Sequence, residues 1–96
     1  MKETFELRGT VIRMARLMRN LSVDEFSKLT GISPNYVAIM EREEATISHR
    51  NYYRFLRALR RDLKVSDQTI AAFTLIVEFE ENKQEVLKNE EGFEVK

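Results

Sequence analysis

Cysteine is absent from the 96 residues. That excludes disulfides and thiolate metal sites, and it fits a reducing compartment. No apolar run approaches the roughly 18 residues of a membrane span. The opening stretch, MKETFELRG, lacks the apolar region of a signal peptide. A cytoplasmic protein is expected. Only one histidine occurs, His49, so no second histidine or cysteine can complete a metal site. No glycine-rich phosphate loop and no catalytic set of side chains is visible. Glu78, Glu80, Glu81 and Glu85 cluster in sequence, but helical geometry spreads them into a solvated acidic face. The expectation is a protein that is not an enzyme and uses no metal and no cofactor.

Net charge is absent as well, with 16 Lys/Arg against 16 Asp/Glu. The balance hides a division. Residues 1–65 hold 13 basic against 8 acidic side chains, and residues 66–96 hold 3 against 8. A basic part of +5 and an acidic part of −5 suggest two tasks. Glycine and proline are scarce, three and one, so long helices are the simplest reading. The first helix is expected from about Thr4 to Asn20. Ser22 caps a second, with Glu25 closing a capping box, and Gly31 ends it in a left-handed conformation. Ser33 caps the third, with Pro34 in its first turn, and the helix ends near Glu43. A loop from Glu44 to about His49 leads to a fourth helix over Asn51–Asp62. Ser66 or Asp67 caps a fifth that reaches Lys88. The tail from Asn89 is expected to fray, with Phe93 and Val95 as residues that could dock. A short helix, a three-residue turn and another short helix form the arrangement that sends a helix into the DNA major groove.

The residues that carry a family likeness are Ile12, Arg13 and Arg16, Leu21-Ser22, Gly31-Ile32-Ser33, Tyr36-Val37 and Glu41-Arg42. Phe55 to Leu59 and Leu63-Lys64-Val65 complete the pattern. Residues 12–63 thereby resemble the lambda-repressor-like helix-turn-helix family, also called the XRE or Cro/repressor family. The resemblance implies an all-α, compact five-helix DNA-binding domain, commonly dimeric, that represses transcription at operator DNA. Residues 1–65 would form that domain, and residues 66–96 a helical extension. It also implies that Arg16 and Glu41 pair across the first and third helices, an arrangement suited to arginine's planar fork. Candidate DNA-contacting residues are Ser22, Ser33, Asn35, Tyr36, Ile39, Arg42 and Arg50, with the two arginines meeting phosphate.

Departures from the family pattern matter as much. Val23 stands where glutamine is common, and Pro34 and Ile39 stand where polar readers are common. Glu43 and Glu44 replace a glycine and a small residue, which places negative charge near any phosphate. Asn35 can still pair with the N6 and N7 edge of adenine, while Pro34, Ala38 and Ile39 offer only apolar contact, as to thymine methyls. An A·T-rich operator is one reading of this face. A protein partner is the other.

The fifth helix has its own signature. At 100° per residue, Thr74, Glu78, Glu81 and Glu85 share a narrow stripe, and apolar residues fill more than half the circumference. One packing surface needs about 100°. A second surface, built on Phe73, Ile76, Val77 and Phe79, is expected to dimerise, helped by surplus apolar residues Leu7, Val11, Met14, Leu17 and Met18 of the first helix. Repression by a homodimer on double-stranded DNA is the leading reading. The alternatives are a protein-interaction module with a degenerate motif, such as an antirepressor, and the antitoxin of a toxin–antitoxin pair that binds its partner through the C-terminal helix.

Overall fold

In a computed structural model that describes residues 7–94, with side chains through residue 83, five α-helices follow one another and no strand occurs among the described residues. They are α1 (Gly9–Met18), α2 (Val23–Thr30), α3 (Pro34–Glu41), α4 (His49–Arg57) and α5 (Asp67–Glu94). A single π-helical turn, Ala58–Asp62, extends α4.

Local chemistry sets most boundaries. Ser22 Oγ accepts from the Glu25 backbone N–H at 3.0 Å, and the Glu25 carboxylate accepts from the Ser22 N–H at 2.8 Å. This reciprocal pair starts α2. Gly31 ends it at φ +78°, where a β-carbon would be strained. The turn to α3 is fixed by side chains as well. Thr30 Oγ1 accepts from the Ile32 N–H at 3.1 Å, and the Ser27 hydroxyl donates to the Ile32 carbonyl. Ser33 Oγ then accepts from the Tyr36 N–H, with Pro34 at the first helical position.

Three boundaries differ from expectation. α4 begins two residues early because Ser48 is its cap, accepting from the Asn51 N–H at 3.2 Å. α5 does not fray at Asn89 but continues through Glu94; Glu90, Glu91 and Glu94 are good helix formers, and one glycine costs only about 1 kcal/mol. Phe93 and Val95 lie outside the described side chains. The helix expected from Thr4 begins only at Gly9, after an extended Arg8; residues 1–6 lie outside the described part.

The late start of α1 has a tertiary cause. Arg8 offers no side-chain cap. Glu43, from beyond the end of α3, supplies one: its carboxylate accepts from the Thr10 N–H and the Thr10 hydroxyl, both at 3.1 Å. Arg8 closes over the same carboxylate at 2.9 Å and reaches Glu81 of α5 at 2.7 Å. Three helices are tied at one point. The Arg8 hydrogen bond, with the Thr10 bonds behind it, holds the Glu43 carboxyl below the usual range, although burial opposes this. Arg8 likewise keeps the Glu81 carboxyl low.

The core gathers Val11, Ile12 and Ala15 of α1, Phe26, Val37, Met40, Phe55, Ala58 and Leu59. The rings of Phe26 and Phe55 stack with centroids 5.9 Å apart. Leu7 is buried too, and its N–H donates to the Tyr52 hydroxyl at 3.2 Å. Ile70 brings α5 into this core, and Phe73 and Val77 pack against it half-buried.

Where α1 meets α3 the backbones nearly touch. A β-carbon at Gly9 would lie 2.0 Å from the Met40 carbonyl oxygen. Backbone there cannot swing aside as a side chain would. Gly9→Ala is expected to destabilise the fold by about 1–3 kcal/mol, the usual range for overpacking. Urea denaturation of the two proteins measures the difference, and equal midpoints would show that the junction is loose.

Candidate nucleic-acid interface

The interface is built on α3. Val37, Met40 and Glu41 point inward and are buried. Pro34, Asn35 and Tyr36 form an exposed first turn. Asn35, Ala38, Ile39 and Arg42 follow on the same outward stripe by helical spacing. The stripe is not uniformly available. Ala38 is half-buried, and Ile39 is half-buried against the core. The surface offered most fully is thus the N-terminal turn, the part of such a helix that reaches base edges.

Tyr36 is 46% exposed and stands outside the hydrophobic core. Ser22 and Ser33 are exposed, and each oxygen is engaged as a helix cap. Arg50 is exposed in the first turn of α4 with no acidic partner among the described residues. Arg42 has one: Glu44, two residues on, receives its Nε and Nη2 at 3.0 and 3.1 Å.

Behind this surface lies the Arg16–Glu41 contact. Arg16 Nε and Nη2 donate to the two carboxylate oxygens of Glu41 at 2.7 and 2.9 Å, with side chains 9% and 4% exposed. Arg16 Nη1 also donates to the Leu21 carbonyl at 2.8 Å. One guanidinium therefore touches α1, the α1–α2 turn and α3. The Glu41 hydrogen bond raises the affinity of Arg16 for its proton, against the cost of burial.

Sequence reasoning missed Arg13 as a surface group. It is exposed on α1 and lines a groove with Thr10, Val23, Ala38 and Arg42, floored by Arg16 and Glu41. Its spacing, three residues before Arg16, was the available signal. Sequence reasoning also read Glu43 as negative charge set beside any DNA backbone. The structure assigns that carboxylate to Thr10 and Arg8 instead.

The candidate dimer residues part company. Phe73 and Val77 are half-buried against the protomer's own core. Ile76 and Phe79 are 51% and 63% exposed, joined by Leu75 at 66%. The periodicity showed a wide apolar arc but not which edge the domain would use. Leu17 and Met18 of α1 are exposed as well, whereas Leu7 and Val11 belong to the core. Among the described residues no group of three or more His, Cys, Asp or Glu could hold a metal ion. No described helix is long and apolar enough to cross a membrane.

A capped short helix, a left-handed glycine turn and a second capped helix with its first turn exposed define a helix-turn-helix DNA-binding domain. Comparison with known families agrees: a helix-turn-helix family model matches residues 12–66. The chain belongs to this family of XRE and lambda-repressor type. No curated protein and no solved structure gives a significant match.

The buried pair makes a sharp test. Glu41→Ala leaves Arg16 charged and under-paired in a dry site, and is expected to cost about 3–5 kcal/mol. Replacing both by apolar residues of similar size, Arg16→Met with Glu41→Leu, is expected to recover most of that loss. Chemical denaturation reads both; a Glu41→Ala protein as stable as wild type contradicts the assigned burial.

Proposed function

We propose that this DNA-binding regulator is a dimeric repressor that reads an A·T-rich operator with α3. The observation that carries the reading is the exposed first turn of α3, which offers one base-pairing amide, Asn35, between an apolar neighbour and a tyrosine. Asn35 suits adenine, and Pro34 with the outer edge of Ile39 suits thymine methyls. Tyr36 and Arg50 would hold the backbone on either side. Residues 1–65 carry this DNA-binding part. Residues 66–96 serve as the dimerisation extension, and occupation of a promoter is the means of repression. DNA as the partner also supports a cytoplasmic location.

The dimer is supported by the outward face of α5. Leu75, Ile76 and Phe79 form a cluster of large apolar side chains, each more than half exposed. A second copy brought by two-fold symmetry would cover it. Two recognition helices would then meet successive major grooves at about 34 Å spacing. The same cluster is what a heterologous protein partner, such as a toxin, would use.

Asn35→Ala is expected to relax preference at one A·T position at a cost of about 1–3 kcal/mol, read by competition binding against a randomised duplex library. Phe79→Glu is expected to convert a dimer to a monomer with an unchanged fold, since Phe79 lies off the core. Sedimentation of the wild type at micromolar concentration decides the assembly: a monomer there rejects the homodimer and leaves the apolar face to another protein.

A further inference from the structure

The groove between α1 and α3 has a floor without net charge and a cationic rim. Arg16 and Glu41 form the floor and neutralise each other in a bidentate pair. Arg13 and Arg42 stand on the rim, on different helices. Arg13 is exposed and makes no ion pair with any described residue. Arg42 belongs to the outward stripe of α3 that begins with Asn35, so whatever backbone flanks the base edges read by that helix passes this rim.

Arg42 is already occupied. Both oxygens of the Glu44 carboxylate lie on its Nε and Nη2 at 3.0 and 3.1 Å, with the two side chains 56% and 54% exposed. That is the geometry in which a guanidinium takes two oxygens of a phosphate. The pair sits in water and at the surface, so its net strength is small and the polyanionic backbone of DNA can displace it.

We propose that one DNA phosphate is held between Arg13 and Arg42, and that Glu44 occupies the Arg42 fork as an intramolecular competitor for it. This rests on the reading of α3 as the DNA-contacting helix. Phosphate entry breaks the Arg42–Glu44 hydrogen bonds and forms equivalent ones to phosphate oxygens. Glu44 then lowers affinity for all sequences alike, because a backbone contact carries no base information. A protein with such a brake leaves non-operator DNA more readily.

The test is equilibrium binding of the full chain to a random-sequence duplex over a range of salt concentrations. Arg13→Ala is expected to weaken binding and make the salt slope shallower by about one unit, while Arg13→Lys retains the slope. Glu44→Gln is expected to tighten binding about 2- to 5-fold at low salt, the size of an exposed ion pair. Removing any acidic residue near DNA reduces general repulsion, so the decisive comparison is Glu44→Gln in an Arg42→Ala background. Competition for the fork requires most of the gain to vanish there. An equal gain in both backgrounds, or a salt slope untouched by Arg13→Ala, overturns the proposal while leaving the DNA-binding reading in place. A wild-type protein with no salt-dependent binding to duplex DNA rejects both.

Discussion

Everything in this small fold depends on how closely the start of α1 approaches the end of α3. The Met40 carbonyl sits where a β-carbon of residue 9 would be, so only glycine lets the helices meet. The contact is also electrostatically favourable. The positive end of α1 faces the negative end of α3, and the orphan amide of Thr10 finds the Glu43 carboxylate. Arg8 then covers that carboxylate and draws in Glu81 of α5. A second tie lies about two turns further along α1, at Arg16 and Glu41. Two ties on one helix fix an angle where one would fix only a pivot. The direction in which α3 leaves the domain follows from that.

This junction changes the meaning of the acidic residues after α3. From sequence, Glu43 and Glu44 look like a doubled repulsion against DNA. In space they do different things. Glu43, at φ +58°, turns inward and becomes the missing cap of α1. Glu44 turns outward onto Arg42. One carboxylate has joined the architecture, and its charge is offset by Arg8. The other remains at the surface beside Arg42 on the outward stripe of α3. The zero net charge of the chain thus says little about the field that DNA would meet, because the acidic charge of Glu41, Glu43 and Glu44 is paired locally and half of the 16 acidic residues lie within residues 66–96.

What was legible in the sequence was what neighbours in the chain decide. Ser22 with Glu25, Gly31, and Ser33 with Pro34 act over three or four residues, and the structure has them as read. Ser48 acts in the same way, but His49 and Arg50 disguise the start of the amphipathic run that it caps. The beginning of α1 was not legible, because it depends on Glu43, thirty-three residues away. Nor could the division of α5 be read. Its apolar arc is continuous in sequence, yet Ile70, Phe73 and Val77 turn to the core while Leu75, Ile76 and Phe79 turn outward. Glu81 stands one turn past Val77, beside the inward side, and from there it reaches Arg8.

The sparse reading surface and the apolar face of α5 bear on each other under the proposed function. One amide and a few apolar contacts discriminate weakly, since each good base contact is worth only about 1–3 kcal/mol. Two such surfaces on one rigid dimer add their discrimination, and the second half-site binds at high effective concentration. The spacing between them must then be held by the protein. α5 is suited to hold it, since the helix that presents Ile76 and Phe79 outward is anchored inward at Ile70, and at Glu81 to the junction that also sets α3. In such a dimer a change in the pose of α5 would move both copies of α3, so the dimer geometry would bear on operator selectivity as much as any single side chain on α3.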